Sequence, residues 1–280
     1  MPQVKKSITK EIAVSSDIAQ LLADAAALEK SNLSAIDSGT RVPFIKCISK
    51  AEDPILDKTS PDYIPKAVYK GFCAPESKLS LGLEFYFTVF GVFSVYEEKI
   101  KSEDGGLPSI VGYVMPEVAK QVPMADGSYF DREFEDEEGN VHILSPIFWV
   151  FGLIEDYEEL GLHSLVFRST AAPKAKAVAK TISEKGGISC QYVFHVTSER
   201  KEFKKYNSVS YQPILEITDR INFHIKNGKV VPEEWSIEEI EEYVKLYHKL
   251  HDDYANSRMI SKTATVEGYL QITDNSKVRF

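Results

Sequence analysis

Residues 198–207 read SERKEFKKYN, in which Arg200, Lys201, Lys204 and Lys205 are interleaved with the rings of Phe203 and Tyr206. Cations that follow a phosphate backbone, set among rings on which bases stack, are the two ingredients of single-strand nucleic-acid binding. The same run also suits a solvated hairpin tip anchored by two aromatics. A second basic group lies on AAPKAKAVAKTISEK (171–185), where Lys176 and Lys180 stand four apart on one helical face. There they would either flank a phosphate backbone or form the solvated face of an ordinary amphipathic helix. From His163 to Gln212 the chain carries nine basic residues against three acidic ones.

Acid is concentrated elsewhere. Sixteen acidic residues face four basic ones from Glu97 to Glu159, and eight face two from Glu233 to Asp253. The run FDREFEDEEGN (130–140) offers carboxylates to a hard cation, but without the alternation and glycine of a calcium loop it reads as acidic surface. His248 and His251 form an HxxH beside Asp252. A metal would need further converging ligands, so this pair reads as a solvated helix face. No phosphate loop, dinucleotide fingerprint or nucleophile elbow is found, and no cofactor is called for. Cys47, Cys73 and Cys190 lie far apart in odd number, which fits a reducing, cytoplasmic setting rather than a disulfide framework. Cys190, within an apolar strand, reads as a packing residue.

These residues need a scaffold. The chain has 280 residues, 43% apolar and 27% charged, with a net charge of -9. That excludes a wholly disordered chain, a collagen-like one and a uniformly basic nucleic-acid coat. The N-terminus shows no signal peptide, and no run approaches the roughly 20 apolar residues of a membrane span. The apolar stretch 143–154, interrupted by Pro146 and Gly152, reads as a strand pair or one long bent strand.

A helix is expected over 16–30, then a short strand at VPFIKCISK, then a long irregular connection through Pro54, Pro61, Pro65, Gly71 and Pro75. LEFYFTVFGVFSVYE (83–97) is the clearest strand. Simple alternation puts Phe85, Phe87, Val89, Gly91, Phe93 and Val95 on one face, and Tyr86, Thr88, Phe90, Val92, Ser94 and Tyr96 on the other. Gly91 marks a bulge or tight bend. Residues 97–140 read as an acidic, turn-rich insertion. Strands are expected at 142–154 and 162–170, then a helix at 171–185 opened by Pro173 and stopped by Gly186 and Gly187. Further strands follow at 188–197 and 208–218, with Pro213 at an edge or bulge, and an acidic helix at 236–254 repeats Ile237, Ile240, Val244, Tyr247 and Leu250. The fold class expected is α+β, mainly β. Its core is an OB-fold-like five-stranded Greek-key barrel over 41–220, preceded by an N-terminal helix and loop extension (1–40) and followed by a C-terminal helical extension (221–280). In that order 198–207 is the loop between the fourth and fifth strands, which borders the ligand face of OB-folds.

The segment PFIKCISKAEDPILDKTSPDYIPKAVYKGF (43–72) resembles the N-terminal part of phage-encoded single-stranded-DNA-binding proteins. LEFYFTVFGVFSVYEE (83–98), LVFRSTAAPKAKAVAKTI (165–182) and YNSVSYQP (206–213) are similar in kind, so the resemblance spans roughly 43–215. It implies an OB-fold that coats single strands during phage replication or recombination. It also implies contacts from Arg168 at a strand end, from Arg200, Lys201, Lys204, Lys205 and Tyr206 in the loop, and from Tyr86 and Tyr96 on the aromatic strand. One departure stands out. Such chains often end in an acidic tail closed by an aromatic residue, whereas NSKVRF before Phe280 is basic.

The leading expectation is a non-enzymatic protein whose partner is single-stranded DNA, with acidic segments available to dock replication or recombination proteins. Two rivals stand beside it, a phage structural or assembly protein and a metal-dependent nuclease using the carboxylates of 131–138.

Overall fold

The computed structural model describes residues 42–101, 108–136, 138–168, 171–203, 208–226 and 229–263. The helix expected over 16–30 lies outside them, as do Lys204, Lys205 and Tyr206.

Two long antiparallel strands carry the architecture, β4 (Phe85–Ile100) and β7 (Val141–Ile154). Around them a mainly β sheet runs in the order β10-β9-β4-β7-β8-β1-β2-β3. Its other strands are β1 (Phe44–Cys47), β2 (Phe72–Ala74), β3 (Leu79–Gly82), β8 (His163–Arg168), β9 (Tyr192–Phe203) and β10 (Ser208–Ile221). The β1–β8 pair is parallel and the other pairs are antiparallel. The sheet curls into a half barrel. Its two ends approach each other, because the strap before β2 touches both β9 and β10.

Among the described residues ten strands join this sheet where five were expected, two of them because β4 and β7 outrun their first neighbours. β9 pairs with the start of β4, and β5 (Ser109–Val114) takes its place along Tyr96–Ile100. On the other side β6 (Arg132–Glu135) replaces β8 along Val141–Leu144. The result is a four-stranded arm in which α1 (Pro116–Ala119) helps cover a small core of Val114, Val118, Val122 and Leu144. The region read as an acidic insertion therefore holds two strands and a helical turn, and Glu97 and Glu98 finish β4 rather than begin a loop.

Gly91 does mark a bulge. Val89 opposes Gly152 and Gly91 opposes Phe151, which leaves Phe90 as the extra residue. The insertion exchanges the faces. Phe85, Phe87, Val89 and Val92 pack on one core, and Phe90, Phe93 and Val95 on the other. The strict alternation expected along β4 holds only up to Val89, so Tyr86 and Tyr96 do not share a face.

Each core has its helix. α2 (Ala172–Lys185) carries Pro173 in its first turn and ends at Gly186, where φ is 77° and the N–H donates to the Ile182 carbonyl. It lays Ala172, Ala175, Val178, Ala179 and Ile182 on Phe87, Val89 and Val150. α3 (Ile237–Thr263) opens with a capping box: Glu239 N–H donates to Ser236 Oγ, and Ser236 N–H donates to Glu239 Oε2. Its Ile240, Val244, Tyr247, Leu250 and Tyr254 pack on Phe90, Phe93 and Phe151. A hairpin, β11 (Phe223–Lys226) with β12 (Lys229–Pro232), leads into it.

His251 is buried in that contact, not solvated as its HxxH spacing suggested. Its Nε2–H donates to the Phe90 carbonyl at 2.9 Å, and its ring stacks on Tyr247 at 4.1 Å. The bulge takes Phe90 out of the ladder, and the helix supplies a donor for its carbonyl. Burial, with His248 nearby, pushes the His251 pKa down to about 4.

A Cβ on Gly91 would lie 2.4 Å from the Phe93 ring and 3.1 Å from His251 Nε2. Gly91→Ala is expected to cost about 1–3 kcal/mol of stability through overpacking, read from a urea denaturation midpoint. The folded-state pKa of His251 is below its unfolded value of about 6.5. The unfolded chain therefore takes up the proton first, and stability falls as pH drops from about 6.5 toward 4, by on the order of 3 kcal/mol in full. His251→Gln keeps a donor for Phe90 without the titration. Unfolding curves at several pH values should show a shallower loss than in the wild type over this window.

Candidate nucleic-acid interface

The irregular stretch before β2 is a folded strap. Its prolines preclude regular structure, yet Ile55 and Ile64 bury with Ile48 and Cys73 in a core of their own. Asp53 caps the 3₁₀ turn at Pro54–Leu56 and accepts from Lys46 Nζ at 2.9 Å. The strap ends at Gly71, where a Cβ would lie 2.4 Å from the Gly82 carbonyl oxygen. Only glycine permits that approach without displacing β3.

Lys70, just before it, has φ of 71°, a left-handed conformation uncommon for a side-chain-bearing residue. Both ends of the curled sheet hold it there. Its N–H donates to the Ile48 carbonyl at 2.9 Å, and its carbonyl accepts from Ser198 Oγ of β9 at 2.8 Å. The side chain lies between two rings, with Nζ 5.3 Å from the centroids of both Tyr69 and Tyr211. Those rings meet edge to face at 5.6 Å. Partial desolvation and a hydrogen bond with Tyr211 push the Tyr69 phenol above its ordinary pKa, so it stays neutral. Tyr69 remains 39% exposed, and Lys70 makes no ion pair with a described residue.

The β9–β10 hairpin extends beside this group. Arg200 opposes Tyr211 in register and Lys201 opposes Ser210. Arg200 and Lys201 are therefore strand residues, where a loop from 198 was expected. The ladder continues to the Phe203–Ser208 pair, so 198, 200 and 202 share the face of Tyr211 while 199, 201 and 203 take the other. Arg200 pairs with Glu202, Lys201 is exposed, and Phe203 is half-buried.

The other expected contacts disperse. Lys176 is exposed with Nζ 5.4 Å over the Phe148 ring, and Lys180 lies 3.5 Å from Glu184. Lys174 reaches Glu199 on β9 at 2.6 Å. Tyr86 stacks on His195 at 5.2 Å, with the Arg220 guanidinium 5.1 Å from its ring and held by Glu155 and Glu234. Tyr96 packs in the arm against its small core. Arg168 donates from Nε and Nη2 to Glu97 Oε1 at 3.0 and 2.8 Å. Glu97 is fully buried and also meets Lys99 at 2.9 Å. Burial alone would raise its pKa, but the hydrogen bonds from Arg168 and Lys99 outweigh it and hold the carboxyl below its ordinary value.

The carboxylates of the acidic run have local partners. Asp131 accepts from Ser128, Glu133 pairs with Lys101, and Asp136 accepts from Asn140 and His142. The Asn140 amide leads in holding the Asp136 carboxyl well below the usual carboxylate range.

The structure thus brings Arg200 together with three residues that sequence reasoning did not single out, Tyr69, Lys70 and Tyr211, while Lys201 faces the other side of the strand. The signal available was two tyrosines in the segments already noted, YIPKAVYKGF and YNSVSYQP. Nothing local links them. Comparison of the chain with protein-family models, curated proteins and solved structures returned no match. What the fold defines is a mainly β half barrel with an arm. Among the described residues no helix is long and apolar enough to cross a membrane.

Arg168→Ala would leave Glu97 buried with Lys99 alone. The expected loss is about 2 kcal/mol in a urea unfolding series, below the cost of breaking a fully buried pair because Arg168 is half exposed. Adding Glu97→Gln should recover part of it.

Proposed function

We propose that the protein binds single-stranded DNA at the junction of the strap and the β9–β10 hairpin. The observation that carries this reading is Lys70 held between Tyr69 and Tyr211, with Arg200 opposite Tyr211 on the adjoining strand. An exposed tyrosine offers a π-face to any base, and lysines and arginine follow the phosphates. Backbone held from both ends of the sheet pre-organises the group, which lowers the entropy cost of binding. An OB-like barrel that coats strands in phage replication or recombination is the finer form of this proposal. Its support is the curl of the sheet and the position of α2 between β8 and β9.

Fluorescence anisotropy with labelled oligo(dT), duplex DNA and single-stranded RNA at low and moderate salt tests it. Oligo(dT) is expected to bind best, with affinity falling as salt rises. Tyr211→Ala should weaken binding by about 1–3 kcal/mol if a base stacks there. Lys70→Ala with Arg200→Ala should flatten the salt slope by about 0.7 per lost phosphate contact. Absence of binding at low salt overturns the reading, and an unchanged slope removes these two cations from it.

A further inference from the structure

Among the described residues four other than glycine hold a positive φ, and three of them are lysines: Lys66 at 64°, Lys70 at 71° and Lys78 at 50°. The fourth, Asp156, is of a type that tolerates this region. Each lysine stands where a turn calls for glycine. Ala67 N–H donates to the Ile64 carbonyl at 3.2 Å, and Gly71 N–H to the Val68 carbonyl at 3.0 Å. These bonds close two successive four-residue turns with Lys66 and Lys70 at the third position. A type II turn needs φ above zero there and favours glycine or asparagine. Lys78 ends the turn between β2 and β3, another position usually left to glycine.

Strain kept against a residue's own backbone preference points to a task for its side chain. For Lys78 the fold supplies one, since its Nζ donates to the Pro61 carbonyl at 3.2 Å and ties the turn to the strap. Lys70 has its place between Tyr69 and Tyr211. Lys66 is exposed, and among the described residues its ammonium has no hydrogen-bond, ion-pair or ring partner. Its carbonyl accepts from Ser80 Oγ of β3 at 3.0 Å, as the Lys70 carbonyl accepts from Ser198 Oγ of β9. β3 closes one end of the curled sheet, and β9 lies beside β10 at the other. The two lysines are thus pinned one against each end. The strap and the β2–β3 turn also expose Glu52, Asp57, Asp62 and Glu76 beside Lys50 and Lys58, so net charge does not mark this surface. What marks it is a second pinned cation on the same strap as the exposed ring of Tyr69. Cations fixed beside a stacking ring match a strand in which phosphate and base repeat together. We infer that Lys66 contacts a further phosphate of the strand held at Lys70, so that bound single-stranded DNA crosses the strap from β9 toward β3. This rests on the reading proposed above and adds the path of the strand to it.

The test compares wild type, Lys66→Gly and Lys66→Arg by anisotropy, on labelled oligo(dT) and on an abasic deoxyribose-phosphate strand of equal length, with urea denaturation of each protein. Glycine suits the turn better than lysine, so the midpoint of Lys66→Gly is expected to rise or hold. Its affinity for both strands is expected to fall about fivefold at about 0.05 M salt, and its salt slope to flatten by about 0.7. Lys66→Arg keeps the charge and should keep the wild-type slope. Tyr211→Ala should weaken oligo(dT) binding and leave the abasic strand unchanged. A Lys66→Gly protein that binds both strands as wild type does overturns this inference alone and leaves the Tyr69–Lys70–Tyr211 reading in place. A loss confined to oligo(dT), or an equal loss in Lys66→Arg, overturns it as well, because the charge would not be meeting phosphate. A lower midpoint for Lys66→Gly makes Lys66 a structural residue of the turn and has the same effect. Wild type that binds neither strand overturns the proposed function, and this inference with it.

Discussion

The hydrogen bond from His251 to the Phe90 carbonyl joins the two halves of the molecule's logic. A strand of 16 residues with a single extra residue at its middle has an unpaired carbonyl and a change of face. Left in an apolar core, that carbonyl would cost more than most single contacts return. The C-terminal helix supplies a donor from a neutral imidazole, and Gly91 leaves the space for it. With this in place β4 serves two cores on opposite sides of the sheet. One is packed by the alanines of α2 and the other by the aromatic and aliphatic face of α3.

The same two long strands divide the charge. The first half of β4 and the second half of β7 belong to the half barrel, where the strap and hairpin gather lysine, arginine and tyrosine. The second half of β4 and the first half of β7 belong to the arm, where acidic residues surround a small separate core. A chain of net charge -9 can in this way present a basic surface at one end and an acidic one at the other. Buried Glu97 stands near the division, neutralised by Arg168 from the half barrel and Lys99 from its own strand.

Much of this was legible in the residues. β4 declared itself by its aromatic and β-branched run, the bulge by Gly91, α2 by Pro173 and Gly186, and α3 by the spacing of Ile240, Val244, Tyr247 and Leu250. The face swap was not, because period-two counting assumes that no residue is inserted. His251 read as solvent-facing because its partner is a backbone carbonyl 161 residues away. The basic run at 198–203 was recognised, but its neighbours were not. Tyr69 and Lys70 meet β9 and β10 only because the sheet curls, and curl is a sum of small strand twists that no local pattern displays.

The parallel pairing of β1 with β8 and the strap's grip on β9 join segments 121 and 128 residues apart. Closures of that length form late, after the local hairpins. A nascent or partly folded chain thus contains Lys70 without Tyr211, and the aromatic clamp exists only once the hairpin has docked. Completion of the fold and completion of this surface are therefore one event.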